Sequence, residues 1–268
     1  MKQVLLHKLP LLTAGMLIAS SAHAFFPFVT DDTGTQGQGG NQIELNYEFV
    51  KEYSDEIDEN GRLINTTTGI SNSVPVTYTY GVRDNVDIFF GIARQTSPIN
   101  GWQNAEIGAK WVFAGDQSQG WSAAVKPSVI LPVSTGMQED GLGNAQTNWG
   151  LALVSSYLGD GYEFHVNAGY TSNRNKTTAS SEAQRTNIWS LSAAPVLVLN
   201  DQWKVGLDFG IETNPGYNSN YATFGEIGVQ YAPMENLQFG LGLIISPAVN
   251  SSDNGWSYAI ATGLAYQF

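Results

Sequence analysis

Residues 256–268 read WSYAIATGLAYQF. Every second residue (Trp256, Tyr258, Ile260, Thr262, Leu264, Tyr266, Phe268) belongs to a mostly apolar face with aromatic ends. Between them lie Ser257, Ala259, Ala261, Gly263, Ala265 and Gln267, all small or polar. A period of two belongs to a β-strand, whose successive side chains point to opposite faces. A soluble protein that left so flat an apolar strand at its edge would invite aggregation. A strand crossing a bilayer needs this pattern, with lipid outside and a polar lumen inside. The competing assignment, a buried strand of a sandwich, is decided by the strands upstream.

Twelve segments from Asn41 onward carry a comparable pattern. The first, Asn41–Tyr53, sets Ile43, Leu45, Tyr47 and Phe49 against Gln42, Glu44, Asn46 and Glu48. The second, about Asn72–Gly81, sets Val74, Val76, Tyr78 and Tyr80 against Ser73, Pro75, Thr77 and Thr79. The rest are centred on Ile88, Ala109, Val125, Leu153, Val166, Leu191, Leu207, Val229, Leu241 and Thr262; the eighth is apolar on both faces, so its phase stays open. Tight connections (Gly81–Asn85, Gly115–Gly120, Gly159–Gly161, Asn200–Gln202, Ala232–Asn236) alternate with longer polar ones (Ser54–Ser71, Thr96–Gln103, Ser134–Gln146, Ser172–Arg185, Thr213–Asn220, Pro247–Gly255). Short periplasmic turns, long outer loops and an even strand count describe a bacterial membrane barrel. Aromatics gather beside both kinds of connection. Tyr80, Trp111, Trp121, Tyr157, Tyr162, Trp203, Tyr231 and Phe268 lie near the turns. Phe49, Trp102, Trp149, Tyr170, Trp189, Tyr217 and Trp256 lie near the loops. Two interfacial rings are a membrane feature that a sandwich lacks. The expected fold is therefore all-β, a transmembrane antiparallel up-and-down β-barrel of about 12 strands over residues 41–268.

Charged residues make up 13% of the 268-residue chain and glycine is abundant at 29, which excludes a disordered or solvated helical protein. There is no cysteine, hence no disulfide or thiolate chemistry. Residues 1–24 read as a signal peptide: Lys2 and Lys8 flank a short apolar core, Leu9–Ile18, and Ala22-His23-Ala24 offers a cleavage site. Sec-type export and residence in the outer membrane of a Gram-negative bacterium are the corresponding expectation. Without Lys2 and Lys8, ten basic residues face 24 acidic ones, so nucleic acid is not an expected partner. Expected partners are the lipid bilayer and lipopolysaccharide, the barrel-assembly machinery, and a small-molecule solute.

Phe25–Gly40, FFPFVTDDTGTQGQGG, is too glycine-rich for a strand and too apolar at Phe25, Phe26, Phe28 and Val29 for an open tail. Its Asp31-Asp32-Thr33-Gly34 contains the D-T-G of aspartic proteases, but that chemistry needs two carboxylates sharing a proton, and no second D-T-G or D-S-G occurs. The expectation is a lumen plug entering from the periplasmic side. Asp31, Asp32, Thr33 and Gln36 are its candidate residues, with Asp31 and Asp32 meeting Lys110, Lys126 or Lys204. Small inward positions such as Gly206, Gly228, Gly240 and Gly242 would leave room for it.

PFVTDDTGTQGQG followed by NQIEL, with GVRDNVDIFFG and KPSVILPVSTG later, resembles the outer-membrane proteins of the MetA-pathway of phenol degradation family. The closing Tyr266 and Phe268, with Gly263 before them, are also similar to the C-terminal assembly signal of outer-membrane barrels; Ala261 departs from its usual polar residue. The family resemblance implies uptake connected with the degradation of aromatic compounds.

The expected lumen lining comprises Glu44, Glu48, Asp87, Glu106, Lys110, Lys126, Glu163, His165, Lys204, Asp208, Glu212 and Glu226. His165 is the one histidine after the leader, and a Ser–His hydrolase would need a serine within hydrogen-bond reach of it. Glu44 and Glu48 stand about 13 Å apart along a strand, beyond the spacing of glycosidase pairs. Glu56, Asp58, Asn60 and Gly61 imitate a calcium loop, but Thr67 stands where the bidentate Glu belongs. No catalytic residue, metal ligand or cofactor is expected. Pro127 and Pro195 interrupt two strands, which predicts a bulge at each and a side exit there. The functional expectation is an outer-membrane channel for small, aromatic or apolar molecules; the alternative is a closed structural or surface-interaction barrel.

Overall fold

The computed structural model describes residues 26–57, 63–176, 184–216, 220–247 and 254–268. Its strands are β1 (Asn41–Ile57), β2 (Leu63–Arg83), β3 (Val86–Ser97), β4 (Gly101–Trp102), β5 (Glu106–Gly115), β6 (Gly120–Ile130), β7 (Asn148–Leu158), β8 (Tyr162–Ser172), β9 (Asn187–Val198), β10 (Trp203–Thr213), β11 (Tyr221–Met234), β12 (Leu237–Pro247) and β13 (Asn254–Gln267). A short helix, α1 (Thr135–Glu139), lies between β6 and β7. The long strands pair antiparallel in chain order, and β1 closes the ring on β13 from Gln42–Gln267 to Asp55–Asn254. Asn41 and Phe268 exchange backbone hydrogen bonds of 3.1 and 2.9 Å, which fastens the seam at its lower end. All backbone groups of a membrane-crossing strand need such partners, and closure supplies them.

The thirteenth strand is the outer end of β5. Arg94 of β3 opposes Trp102 of β4 and Gly91 opposes Glu106, so the β4–β5 side holds one extra residue between these pairs. That irregularity divides one barrel strand into two pieces and leaves the count of long strands at twelve. β9 settles its phase with Trp189, Leu191 and Leu197 outward and Ile188, Ala194 and Val196 buried inward. The closing strand keeps its alternation: Trp256, Ile260 and Tyr266 are exposed, and Ser257, Ala259 and Ala261 are buried.

The outward apolar side chains form the belt that lipid would cover, with aromatic contacts at both rims. Trp203 stacks on Tyr231 at 4.4 Å and Tyr157 on Tyr162 at 5.9 Å beside the short turns. Trp149, Tyr170 and Trp189 make a row at 4.7 and 4.8 Å beside the long loops, and Tyr53 stacks on Trp256 at 4.4 Å.

Two sequence expectations change, and one falls partly outside the described residues. Most of Ser54–Ser71 is strand rather than loop, because β1 and β2 continue pairing through Tyr53–Thr68 to Glu56–Asn65. Polar residues suffice there because a ladder that rises beyond the lipid belt needs no apolar face. The candidate calcium loop falls partly on residues 58–62, outside the described residues, as does Tyr217. Finally, neither proline makes a bulge. Pro127 pairs with Leu151 and Pro195 with Phe164 in register, and the opposite ladders keep one register on both sides of each proline. The pairs at Ala109–Lys110 and Leu207–Asp208 are missing there, but nothing shifts. A residue in an antiparallel ladder directs its N–H to only one neighbour, so a proline costs one strand pairing and not the other. The motive for a side exit at the prolines disappears.

Candidate functional site

Residues 26–40 run through the lumen as an irregular strap that joins β1 at the periplasmic rim. Glycines on three adjacent strands make its seat. A Cβ on Gly206 or Gly228 would stand 2.8 or 2.6 Å from the Phe28 ring, and one on Gly240 would strike Phe26. Phe28 is buried against Val196, and Val29 packs on a cluster of Val50, Phe224, Ile244 and Ala259. The Phe26 carbonyl accepts hydrogen bonds from Gln230 (2.8 Å) and Gln238 (3.2 Å).

Polar anchors then hold the strap on all sides. The Thr30 amide and hydroxyl both donate to Asp208 at 2.6 Å. The Asp31 carboxylate, 1% exposed, receives Lys110 at 3.1 Å and Lys126 at 2.9 Å, one lysine on each oxygen. Asn167, its amide oriented to satisfy both bonds, brackets the Asp31 backbone. The Asp32 side chain accepts from the Gly34 amide at 2.8 Å, and this turn presents the carbonyls of Asp32 and Gly34 to Lys110 at 2.9 and 3.1 Å. The D-T-G is therefore an Asx turn wrapped on a lysine. The Thr33 amide donates to Ser156 (3.0 Å), its hydroxyl meets Ser122 (2.6 Å), and the Gln36 amide donates to Asp87 (3.1 Å). Buried polar groups so fully paired specify one docked geometry.

All twelve expected lumen residues face inward. Their partners differ from expectation at one place: Lys204 pairs with Glu163 at 2.7 Å and does not reach the strap. Glu44 accepts from Gln42 at 2.8 Å, Glu48 accepts from Ser73 at 3.0 Å, and Glu226 is buried against Gly242. His165 does have a serine neighbour, with Ser156 Oγ 2.8 Å from Nδ1 and Glu163 3.4 Å from Nε2. The arrangement does not suit acyl transfer. Ser156 is 2% exposed, its hydroxyl already accepts from the Thr33 amide, and neither Ser156 nor His165 lines a cavity described below. These groups anchor the strap.

An outer and an inner space of the lumen are lined by described residues. An outer cavity of about 450 Å³ lies on the long-loop side, bounded by β1–β3, the inner ends of the loops and the turn after α1. An inner one of about 190 Å³ lies beside Asp32–Gln36 on the periplasmic side. Among the described residues none lines both. The outer cavity is roofed by the α1 loop, whose Gln138 accepts hydrogen bonds from Ala145 (2.8 Å) and Lys176 (3.1 Å), and whose Leu142 packs over Gly101. The sequence places a long loop at Ser134–Gln146, but its periodicity gives no sign of the helix or of the fold over the cavity. Phe89 and Phe224, in phase with Asp87 and Glu226, are buried inward with them, and Phe89 lies under Lys126, its ring centre 4.8 Å from Nζ.

Residues 24–267 match the MetA-pathway of phenol degradation family, which is almost the whole chain. The chain belongs to this family. Its barrel is similar to an outer membrane channel from Pseudomonas putida F1 (TM-score 0.61, 12% identity, 88% of this chain and 98% of that one). It is also similar to the NanC porin (TM-score 0.58, 11% identity, 83% and 98%). At such identities these members of the outer-membrane barrel class establish the fold. No curated protein sequence matches the chain.

Proposed function

We propose that this family member resides in the outer membrane and is a passive channel for small apolar or aromatic solutes, held shut at rest by the strap. The observation that carries the reading is the strap itself, which crosses the lumen between two cavities that share no lining residue among those described. Twelve strands enclose a lumen wider than an eight-stranded barrel, which side chains fill, and narrower than a sixteen-stranded porin. One peptide is enough to occlude it. The family's description supplies the aromatic solute class, and the outward belt with its two aromatic rims supports the bilayer as surroundings. A leader over residues 1–24 and recognition of Phe268 by the barrel-assembly machinery belong to the same proposal.

Deletion of residues 25–36, with residues 1–24 retained, tests it. Single-channel recordings should show a marked rise in conductance over the intact protein. Unchanged conductance from a barrel that still runs as a heat-modifiable band would overturn the gated channel and leave a closed structural barrel.

A further inference from the structure

The polar lining of the outer cavity has one sign. Glu48, Glu106 and Glu212 reach it from β1, β5 and β10, and Glu139 and Asp140 stand at its mouth. No lysine, arginine or histidine lines it among the described residues. The lysines facing Asp31 lie outside this lining, engaged by the strap below.

These acceptors are only partly matched: Ser128 and the nearby Lys126 serve Glu106, while the others meet little positive charge. Glu48 is 8% exposed and its carboxylate is met by the Ser73 hydroxyl, with no ion pair among the described residues. One oxygen of Glu212 and the side-chain oxygen of Asn72 are shut off from solvent and accept no hydrogen bond. Enclosed carboxylates with little counter-charge are costly to keep, and the charged groups of the lining are all acceptors, so a ligand that brings N–H donors and positive charge matches it. A bare metal ion does not fit, because among the described residues no three carboxylates or histidines converge closely enough to hold one. The remaining wall is aliphatic, with Val50, Leu142 and Ile188 among its members. A cavity of about 150 Å³ already accepts benzene. The space here, about 450 Å³, holds a ring with a side arm.

We propose that the outer cavity is a binding site for organic ammonium ions, a protonated amine on an apolar body about one ring in size. The ammonium is held by the carboxylates of this lining, Glu48 and Glu212 foremost, and the body lies on the aliphatic wall. The site depends on the channel reading only for the ligand being a transported solute; binding itself needs no transport. Aromatic carboxylates of the same shape are excluded by the same charges.

Equilibrium dialysis of the intact, detergent-purified protein against benzylammonium, benzyl alcohol and benzoate at neutral pH and low salt tests the assignment. Benzylammonium should bind saturably, roughly tenfold or more tighter than the neutral alcohol, since a charge pair near 4 Å outweighs a neutral hydrogen bond, and benzoate should not compete. Glu48→Gln with Glu212→Gln should bring benzylammonium down to the level of the alcohol. Equal binding of the alcohol, competition by benzoate, no saturable ammonium binding, or an unchanged affinity in the heat-modifiable double variant would each overturn the proposal. The three-ligand comparison on the unmodified protein decides the matter even if the variant fails to assemble. A barrel that binds benzylammonium but whose conductance ignores strap deletion refutes the channel reading alone. A strap-gated barrel that does not discriminate refutes this one alone.

Discussion

Asp31→Asn should open the barrel. The carboxylate holds Lys110 at 3.1 Å and Lys126 at 2.9 Å, and all three side chains are at least nine-tenths buried. Removing one partner of a buried pair costs about 3–5 kcal/mol, because the other charge stays in a poorly solvated place. Lys110 is cushioned, since it keeps the carbonyls of Asp32 and Gly34 and the Asp32 carboxylate at 3.6 Å. Lys126 keeps the Phe89 ring and the neighbouring Glu44 and Glu106 carboxylates but loses its contact at 2.9 Å, so part of the loss falls there. The molecule can relieve it by releasing the strap and letting water reach the lysines. At 1.4 kcal/mol per tenfold, the docked-to-released ratio falls by roughly two to three and a half powers of ten. Open probability in planar bilayers is the assay. Asp32→Asn is the control: that side chain is 22% exposed, and a partly exposed pair is worth less than about 1 kcal/mol. Adding Lys126→Met to Asp31→Asn removes one of the two cations left facing the neutral side chain and should restore part of the closure. An assembled Asp31→Asn barrel that opens no more often than the intact one, or no more often than Asp32→Asn, would refute the reasoning.

Other consequences can be measured on the same preparation. Gly228→Val fills the place of the Phe28 ring, so it should undock the strap and raise conductance while the barrel assembles; conductance at the intact level would contradict the glycine seat. Leu241→Arg, at an outward position 54% exposed to the lipid side, should destabilise by about 2–4 kcal/mol in a folding titration into lipid vesicles. Gly240→Arg points at the strap instead and should act mainly on conductance, so similar small stability losses at both sites would mean the faces are misassigned. Phe268→Ser should lower the amount of heat-modifiable protein in purified outer membranes, and undiminished assembly would remove the terminal aromatic from the signal.

The barrel was legible because lipid and lumen impose opposite demands on alternate residues, and Leu237–Pro247 or Trp256–Phe268 can satisfy them only one way. The course of residues 26–40 inside the lumen was legible for a related reason: glycines at 206, 228, 240 and 242 leave a groove, and Phe26 and Phe28 need somewhere dry to go. What periodicity does not carry is partner choice among like groups. Lys204 looked equivalent to Lys110 and Lys126, yet Glu163 takes it at 2.7 Å. The α1 loop and the rise of β1–β2 past Tyr53 lie beyond the lipid, where no apolar face is demanded and alternation carries no message.

The strap leaves the barrel at Asn41, the residue whose backbone is bonded to Phe268 at the closing seam. The root of the gate and the last joint of the wall are the same point. If β1 slid by two residues on β13, every side chain would keep its face and the apolar belt would look correct, but the root would move by about 7 Å along the strand. Asp31 would then miss both lysines and Phe28 its glycines. Misregistered barrels of this kind would leak, and only a correctly zipped one would be sealed. With the strap as the proposed gate, the peptide would act as a gauge of assembly, turning an error of strand register that lipid cannot sense into a loss of closure.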